Sequence, residues 1–175
     1  MGHLRIATAS TETSAQRPAS VPIRVLLGVD HELMRSSLRQ LLGYEQDIEV
    51  IADAGDLPST MRVLRRERPR VLVLGHRAPD RSRCEVIESL RARAPDTQVV
   101  LLTMEDSPQF AEKARDSGAL GFVLKDRADS DLPPAIRAAA RGEEYVSPRP
   151  ATKRGKLDHP LANEAESAAG RQSQG

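Results

Sequence analysis

The sequence predicts an α/β fold in which five parallel strands form a doubly wound sheet. Composition is the first observation: 39% of the 175 residues are hydrophobic but only 2% are aromatic, so the core must be aliphatic. The second is a regular alternation of short apolar runs with segments of helical periodicity. The third is that the apolar runs are mostly continuous, as expected for parallel strands that helices cover on both faces.

Five apolar runs are the predicted strands. They are rich in Val, Ile and Leu and comprise Ile23–Val29, Ile48–Gly55, Val71–Gly75, Gln98–Thr103 and Leu120–Lys125. Right-handed crossovers join such strands, and at this length the expected strand order is 2-1-3-4-5. The functional crevice of such a sheet lies beyond the carboxyl ends of the first and third strands. The residues that end the strands are therefore the candidate site.

The segments between the strands have helical patterns. We expect the first helix to bury Leu33 together with Leu38 on one face. Gly118 is a natural stop for the fourth helix. The last helix is expected to open with Pro133 and Pro134, because proline is tolerated in the first turn of a helix. The second helix carries Arg62, Arg65, Arg66 and Arg68, which we interpret as a solvated face rather than a nucleic-acid patch.

Composition also bounds the domain organisation. Residues 1–21 and 149–175 are small, polar and aperiodic, and we expect both to be disordered around a single domain at 22–148. The net charge of +1 gives no general case for nucleic acid or membrane partners. No apolar run approaches the roughly 20 residues of a membrane span. One cysteine, Cys84, excludes an internal disulfide, and we expect a cytoplasmic protein.

Four phrases resemble the receiver domain of bacterial two-component response regulators, specifically the NarL/FixJ subgroup. They are "LLGVDHELMRSSLRQLL", "VVLLTMED", "GALGFVLKD" and "AIRAAARGEEYVSP". One marker of the subgroup is Lys125-Asp126, where many other receivers have Lys-Pro. The resemblance covers roughly residues 23–148. It implies a flavodoxin-like, CheY-like three-layer sandwich that serves phosphorelay signal transduction and transcription regulation, and no enzyme.

The resemblance also implies a site. An active receiver has an aspartate at the end of the third strand, which accepts the phosphoryl group. Acidic residues after the first strand help to hold Mg²⁺, which prefers oxygen ligands. Asp30 matches the second of these acidic residues, Thr103 the hydroxyl that binds the phosphoryl oxygen, and Lys125 the lysine that offsets its charge. Phe122 matches the aromatic residue that moves with the hydroxyl during switching.

Two positions depart from the family pattern. Val29 stands where the first acidic residue usually lies, and Gly75 stands where the phosphoryl acceptor should be, provided that Pro79 correctly marks the strand register. Glycine has no side chain to phosphorylate, and one carboxylate makes a poor magnesium site. We therefore expect a degenerate receiver with no phosphorylation site, no metal, no cofactor and no catalytic residue. The turn "DRSR" at residues 80–83 is a further departure.

Simpler roles remain open for the retained residues. Asp30 is also a candidate N-cap of the first helix. Lys125, without the acceptor, is expected to form a salt bridge with Asp30. Thr103 is also a candidate for an ordinary hydroxyl at a strand end, and Phe122 for a core residue with no switching role. His76, beside the vacant position, has nothing arranged around it for phosphoryl transfer.

Two functions of different classes follow. The first is a phosphorylation-independent regulatory module that acts through contacts with another regulator, a kinase or a second copy of itself. Candidate surfaces are the first and fifth helices, or the face of helix four, strand five and helix five. The region after Pro148 has no apolar helical pattern, so we expect no helix-turn-helix domain and no direct DNA binding. The alternative is a sensor that binds an anion or small molecule in the vacated pocket. An enzyme is disfavoured because no G-x-G-x-x-G loop follows the first strand.

Overall fold

A computed structural model of the chain describes residues 21–77 and 80–148. Apart from Val21, the segments expected to be disordered lie outside these residues, as does Pro79. The strands are β1 (Ile23–Val29), β2 (Ile48–Ala54), β3 (Val71–Gly75), β4 (Gln98–Thr103), β5 (Ala119–Leu124) and β6 (Tyr145–Val146). The α-helices are α1 (Glu32–Leu42), α2 (Leu57–Glu67), α3 (Asp80–Arg93), α4 (Pro108–Asp116) and α5 (Ala128–Ala140), and a 3-10 turn spans Lys125–Arg127.

All strand pairs are parallel, and the sheet order is β2-β1-β3-β4-β5-β6. This confirms the predicted doubly wound fold and adds one short strand that pairs with the outer edge of β5. The winding reverses between β1 and β3, which places the crevice at their carboxyl ends. Val29 and Gly75 are register partners at the ends of those two strands.

The sheet separates two aliphatic cores. Alternate residues of β1, β3, β4 and β5 point to one face, where they pack against α1 and α5; their neighbours point to the other face, against α2, α3 and α4. Leu38 and Leu42 anchor α1 to the first core, and Leu64 anchors α2 to the second. Burial of aliphatic side chains on both faces explains why the strands read as continuous apolar runs. No helix in the described part of the chain is long and apolar enough to cross a membrane.

The predicted inner face of α1 is wrong in one residue. Leu38 and Leu42 are buried, but the side chain of Leu33 is 75% exposed. Leu33 precedes Leu38 by five residues, which turns it well away from that face on a helix of 3.6 residues per turn. Met34 takes the place on the core face instead.

The expected start of the last helix is also wrong. Helix α5 begins at Ala128, so Pro133 and Pro134 lie inside it rather than in its first turn. These prolines cannot donate to the carbonyls of Asp129 and Ser130, four residues earlier. Both of those residues are exposed, so water is able to hydrate the two carbonyls. The helix ends at Ala140, and the segment after it returns to the sheet as β6.

Strand β6 is fixed to α5 by a buried carboxylate. Asp131 is only 4% exposed and accepts a hydrogen bond from Arg127 Nε at 3.0 Å. Burial opposes ionisation of Asp131, but hydrogen bonds from the side chains of Arg127, Ser147 and Ser130 outweigh it, so its pKa lies below the ordinary value. Ser147 Oγ in turn accepts from the backbone N–H of Leu124 at the end of β5. The chain that leaves α5 is therefore tied to the strand that leads to Lys125.

Candidate functional site

The crevice between β1 and β3 has no carboxylate at the two strand ends. Gly75 closes β3 opposite Val29 of β1. A Cβ atom built on Gly75 would lie 3.1 Å from Val29 Cγ2 and 3.5 Å from Leu102 Cδ2. Val29 is fully buried, so its methyl groups fill the space next to the glycine. The crevice is therefore apolar at these two ends.

Asp30 follows β1 and points across to the loop after β3. Its Oδ2 accepts a hydrogen bond from the backbone N–H of Arg77 at 2.8 Å, while its Oδ1 is buried without a hydrogen-bond partner among the described residues. Burial raises the pKa of Asp30, but the Arg77 N–H and the charge of Lys125 lower it by more, so the carboxyl is ionised at neutral pH. The alternative role of Asp30 as the N-cap of α1 is wrong, because His31 is the N-cap and its Nδ1 accepts a hydrogen bond from the Met34 N–H.

Lys125 follows β5 and is half-buried. It acts on Asp30 through charge, but within the described residues it forms no hydrogen bond and no ion pair closer than 4.0 Å. The expected salt bridge with Asp30 is therefore wrong. The Asp30 carboxylate instead accepts a hydrogen bond from the backbone N–H of Arg77, in the loop after β3.

Thr103 ends β4 and is contacted from two sides. Its side chain is 1% exposed. Its Oγ1 accepts a hydrogen bond from Arg83 at 2.8 Å and another from the backbone N–H of Glu105 at 3.0 Å. Arg83 lies in the first turn of α3 and reaches over to the end of β4. A cation is therefore placed directly on the hydroxyl that ends β4.

The same guanidinium packs against an aromatic pair. The Arg83 Cζ lies 4.3 Å from the ring centroid of Phe110 in α4, a cation–π distance. The Phe110 ring meets Phe122 of β5 edge to face, with centroids 5.8 Å apart and an interplanar angle of 68°. Both rings are buried. Thr103, Arg83, Phe110 and Phe122 thus form one continuous chain of contacts, which we call the Arg83 network.

His76, directly after Gly75, lies against α2 and is half-buried. Its Nε2 is 3.3 Å from the hydroxyl of Thr60. Burial lowers the pKa of His76 below its ordinary value, and the nearby charge of Lys125 adds to this, whereas Asp30 and Asp56 act in the opposite direction. The ring is therefore neutral at pH 7.

Arg83 is the site residue that the sequence reasoning missed. In the sequence, the stretch "DRSR" at residues 80–83 stands out only as a departure from the family turn. The spacing of Arg83, Ile87 and Leu90 by four and then three residues does, however, indicate that the three side chains share one face of a helix. Ile87 and Leu90 are buried in the second core, so the pattern places Arg83 on the inner face of α3.

The donor set does not fit the magnesium ion that active receivers bind. Mg²⁺ prefers an octahedron of oxygen ligands, usually with one or two carboxylates. Among the side chains described at the ends of β1 and β3, Asp30 is the one acidic group, and Val29 and Gly75 supply no side-chain oxygen. Among the described residues, no group of three or more His, Cys, Asp or Glu side chains is arranged to hold a metal ion.

Fold and site together define a signalling domain of the receiver class. The family model for the response regulator receiver domain matches residues 25–137, and the chain belongs to this family. Receiver domains of this family signal rather than catalyse a metabolic reaction. The fold and family expected from the sequence are thereby confirmed.

Several relatives are transcriptional regulators. The chain is 34% identical over 132 residues to the nitrate/nitrite response regulator protein NarP of Escherichia coli, a match that covers 75% of this chain and 61% of NarP. It is 33% identical over 121 residues to the transcriptional regulatory protein YxjL of Bacillus subtilis, covering 69% of this chain and 56% of YxjL. The chain thus spans a little over half the length of the curated relatives it matches.

The solved structures similar to this chain include receiver domains. The receiver domain of the response regulator NarL from Mycobacterium tuberculosis aligns with a TM-score of 0.64 and 27% identity, covering 71% of this chain and all of that domain. The isolated receiver domain of RcsB from Salmonella enterica aligns with a TM-score of 0.64 at 23% identity, covering 73% of this chain and 94% of that domain. The second likeness concerns the fold alone.

Proposed function

We propose that this receiver domain works in two-component signalling and transcription regulation without being phosphorylated, and that it acts through contacts with another protein. The observation that carries the proposal is the pairing of Gly75 with Val29 at the crevice. The acceptor position has no carboxyl group, and valine methyl groups occupy the adjoining space. The usual covalent signal therefore has no atom on which to form at the end of β3.

The Arg83 network supports a fixed output state. In an active receiver the hydroxyl at the end of β4 responds to a phosphoryl group. Here the Thr103 hydroxyl already accepts a hydrogen bond from a charged donor of the same chain. The network continues through Phe110 to Phe122 on β5. An internal cation thus holds the residues that match the family's switch in one arrangement.

Partners on this proposal are proteins of the cytoplasm: another regulator, a kinase or a second copy of this chain. The faces considered are α1 with α5, and α4 with β5 and α5. On the second face, β6 covers the edge of β5 and presents Val146, whose side chain is 56% exposed. We assign no DNA contact to residues 22–148, since the net charge of the chain is only +1.

The test is a nitrogen–proton NMR spectrum of the chain recorded before and after addition of beryllofluoride with Mg²⁺, and separately of acetyl phosphate with Mg²⁺. We expect no shift at Thr103, Phe122 or Lys125, because no carboxylate at the end of β3 is available to bind the fluoride complex. Large shifts around Lys125 would reject the proposal. A receiver with an intact acceptor aspartate serves as the positive control for both reagents.

A second candidate function is supported by one observation. The ammonium group of Lys125 forms no ion pair within the described residues, although it lies at the mouth of the crevice. Without the acceptor carboxylate of the family pattern, this ammonium group is available to an external anion. On this alternative a bound small molecule replaces phosphorylation as the input.

A further inference from the structure

An open cleft runs along the carboxyl ends of β3, β4 and β5. Its volume is about 960 Å³, within the range of small-molecule sites. The deeper wall contains Leu102 and Thr103, which are both buried. Its walls and rim also include Leu33, Arg77, Arg83, Met104, Glu105 and Lys125.

The cleft offers hydrogen-bond donors without matching acceptors. Lys125 carries three N–H donors, none of which is used within the described residues. Thr103 Oγ1 accepts two hydrogen bonds, so its acceptor sites are filled while its O–H proton finds no acceptor among the described residues. A buried hydroxyl donor beside an unpaired ammonium group suits a carboxylate or a phosphate oxygen.

Charge balance favours a single negative charge. Arg77, Arg83 and Lys125 line the cleft, and Glu105 is the acidic side chain on its described wall. Glu105 also accepts from the backbone N–H of Ser107, which holds its carboxylate toward the start of α4. These groups leave a net charge of +2 on the cleft wall. The ionised Asp30 carboxylate, on the neighbouring cavity, acts on Lys125 through charge and offsets one of these positive charges. The remaining single positive charge suits a monoanion better than a phosphate dianion.

The rim of the cleft is apolar. Five large hydrophobic side chains are exposed among the described residues, and two of them, Leu33 at 75% and Met104 at 73%, line this cleft. Leu33 belongs to α1 and Met104 follows β4, so two separate segments present apolar groups to the same opening. Clustered exposed apolar groups mark sites that bind apolar surface.

We propose that the cleft binds a small amphipathic monocarboxylate, whose carboxylate is held by Lys125 and Thr103 and whose apolar body lies against Leu33 and Met104. This assignment deepens the second candidate function and rests on it. The carboxylate reaches the hydroxyl that Arg83 also contacts. Binding is therefore read out along the Arg83 network, through Phe110 to Phe122.

The experiment titrates the full chain with octanoate and follows the nitrogen–proton NMR spectrum. Acetate supplies the carboxylate without the apolar body, 1-octanol the body without the carboxylate, and octyl phosphate the body with a dianionic head group. We expect octanoate to bind at least about tenfold more tightly than each of the other three, since both parts of the site contribute. The shifts are expected at Leu33, Met104, Thr103 and Phe122.

Two variants test the carboxylate-binding part and the apolar part of the site separately. Lys125→Met keeps the unbranched apolar stem of the side chain and removes the ammonium group, and we expect at least about a tenfold loss of octanoate affinity. Lys113→Met, on the exposed surface of α4, is the matched control and is expected to bind as the wild type does. L33S/M104S alters only exposed side chains, so it is expected to fold normally and to bind octanoate as weakly as acetate.

Several outcomes overturn the assignment. They are no saturable octanoate binding, equal binding by K125M and the wild type, octyl phosphate binding as tightly as octanoate, and acetate binding as tightly as octanoate. The beryllofluoride experiment separates this result from the proposed function. If beryllofluoride and octanoate both leave the spectrum unchanged, the phosphorylation-independent receiver stands and the ligand site fails.

Discussion

The guanidinium of Arg83 donates a hydrogen bond to the Thr103 hydroxyl at 2.8 Å and also lies on the ring of Phe110. A single side chain from α3 thus reaches the end of β4 and the start of α4. This contact joins two helices and a strand that are separate in sequence. It puts a permanent charge next to the hydroxyl that a phosphoryl group would approach in an active receiver.

Replacing Arg83 by methionine tests this contact. Loss of the charge-assisted hydrogen bond and of the cation–π contact is expected to lower the free energy of unfolding by about 2 kcal/mol. NMR shifts are expected at Thr103, Phe110 and Phe122. Urea denaturation supplies the free energy. Arg81→Met is the control: the Arg81 side chain is 93% exposed, and the change is expected to stay within about 0.5 kcal/mol. Equal stability of the two variants would contradict the role given to Arg83.

Restoring the acceptor alone is expected to harm the fold. Gly75→Asp places a Cβ 3.1 Å from Val29 Cγ2 and buries a carboxylate beside apolar groups. We expect a loss of about 1–3 kcal/mol in the free energy of unfolding. Gly75→Ala separates size from charge and is expected to stay within about 1 kcal/mol of the wild type. Urea denaturation of the three proteins measures both effects.

Restoring both positions is expected to recover a metal site. In V29D/G75D the valine methyl groups are gone, and two new carboxylates join Asp30 to supply the oxygen ligands that Mg²⁺ requires. Calorimetric titration with Mg²⁺ is expected to give saturable binding to V29D/G75D and none to the wild type. Beryllofluoride with Mg²⁺ is then expected to shift Thr103. Failure of the double variant to bind Mg²⁺ would show that more than these two positions separates this crevice from an active one.

The buried carboxylate of Asp131 makes stability depend on pH. Its pKa is lowered in the folded state from the ordinary value of 3.8, so its contribution is complete above that pH and lost as the pH falls through the folded-state pKa. At pH 7, Asp131→Asn is expected to cost about 1.5–3 kcal/mol, since the bond from Arg127 loses its charged acceptor. Urea denaturation at a series of pH values is expected to show the gap between wild type and D131N closing below pH 3.8. A gap that does not change with pH would contradict this account.

Gly121 marks a close approach of two strands. A Cβ at this position would lie 2.7 Å from Val100 Cγ2, so Gly121→Ala is expected to destabilise the fold by about 2 kcal/mol. Since Gly121 precedes Phe122, the change is also expected to shift the Phe122 and Phe110 resonances. V100A/G121A removes the clash, and its loss of stability is expected to be smaller than the sum of the two single losses. Additive losses would show that the contact does not matter.

The strands and their order could be predicted from the sequence alone, as could the glycine that ends β3. Continuous aliphatic runs with helices between them admit few other architectures, and β1, β3 and β4 have the predicted bounds. Gly75 could be placed at the end of β3 in the same way, because the residue type at a predicted strand end is given by the sequence and requires no tertiary contact. The prediction for Leu33 was wrong on helical spacing, because a separation of five residues from Leu38 turns it off the buried face. The start of α5 depends on the folded structure, since Pro133 and Pro134 inside the helix leave two carbonyls that water must hydrate.

The pairing of the remaining side chains could be known only from the folded structure. Asp30 follows β1 and Lys125 follows β5, so the two opposite charges lie at the same edge of the sheet with β3 and β4 between their strands. The Asp30 carboxylate nevertheless accepts from the backbone N–H of Arg77, and Lys125 forms no ion pair within the described residues. Arg83 instead reaches Thr103, twenty residues along the chain. A long cationic side chain such as that of Lys125 or Arg83 has several possible partners within its reach. The packing of the elements around it decides which partner it contacts, and residue type alone does not.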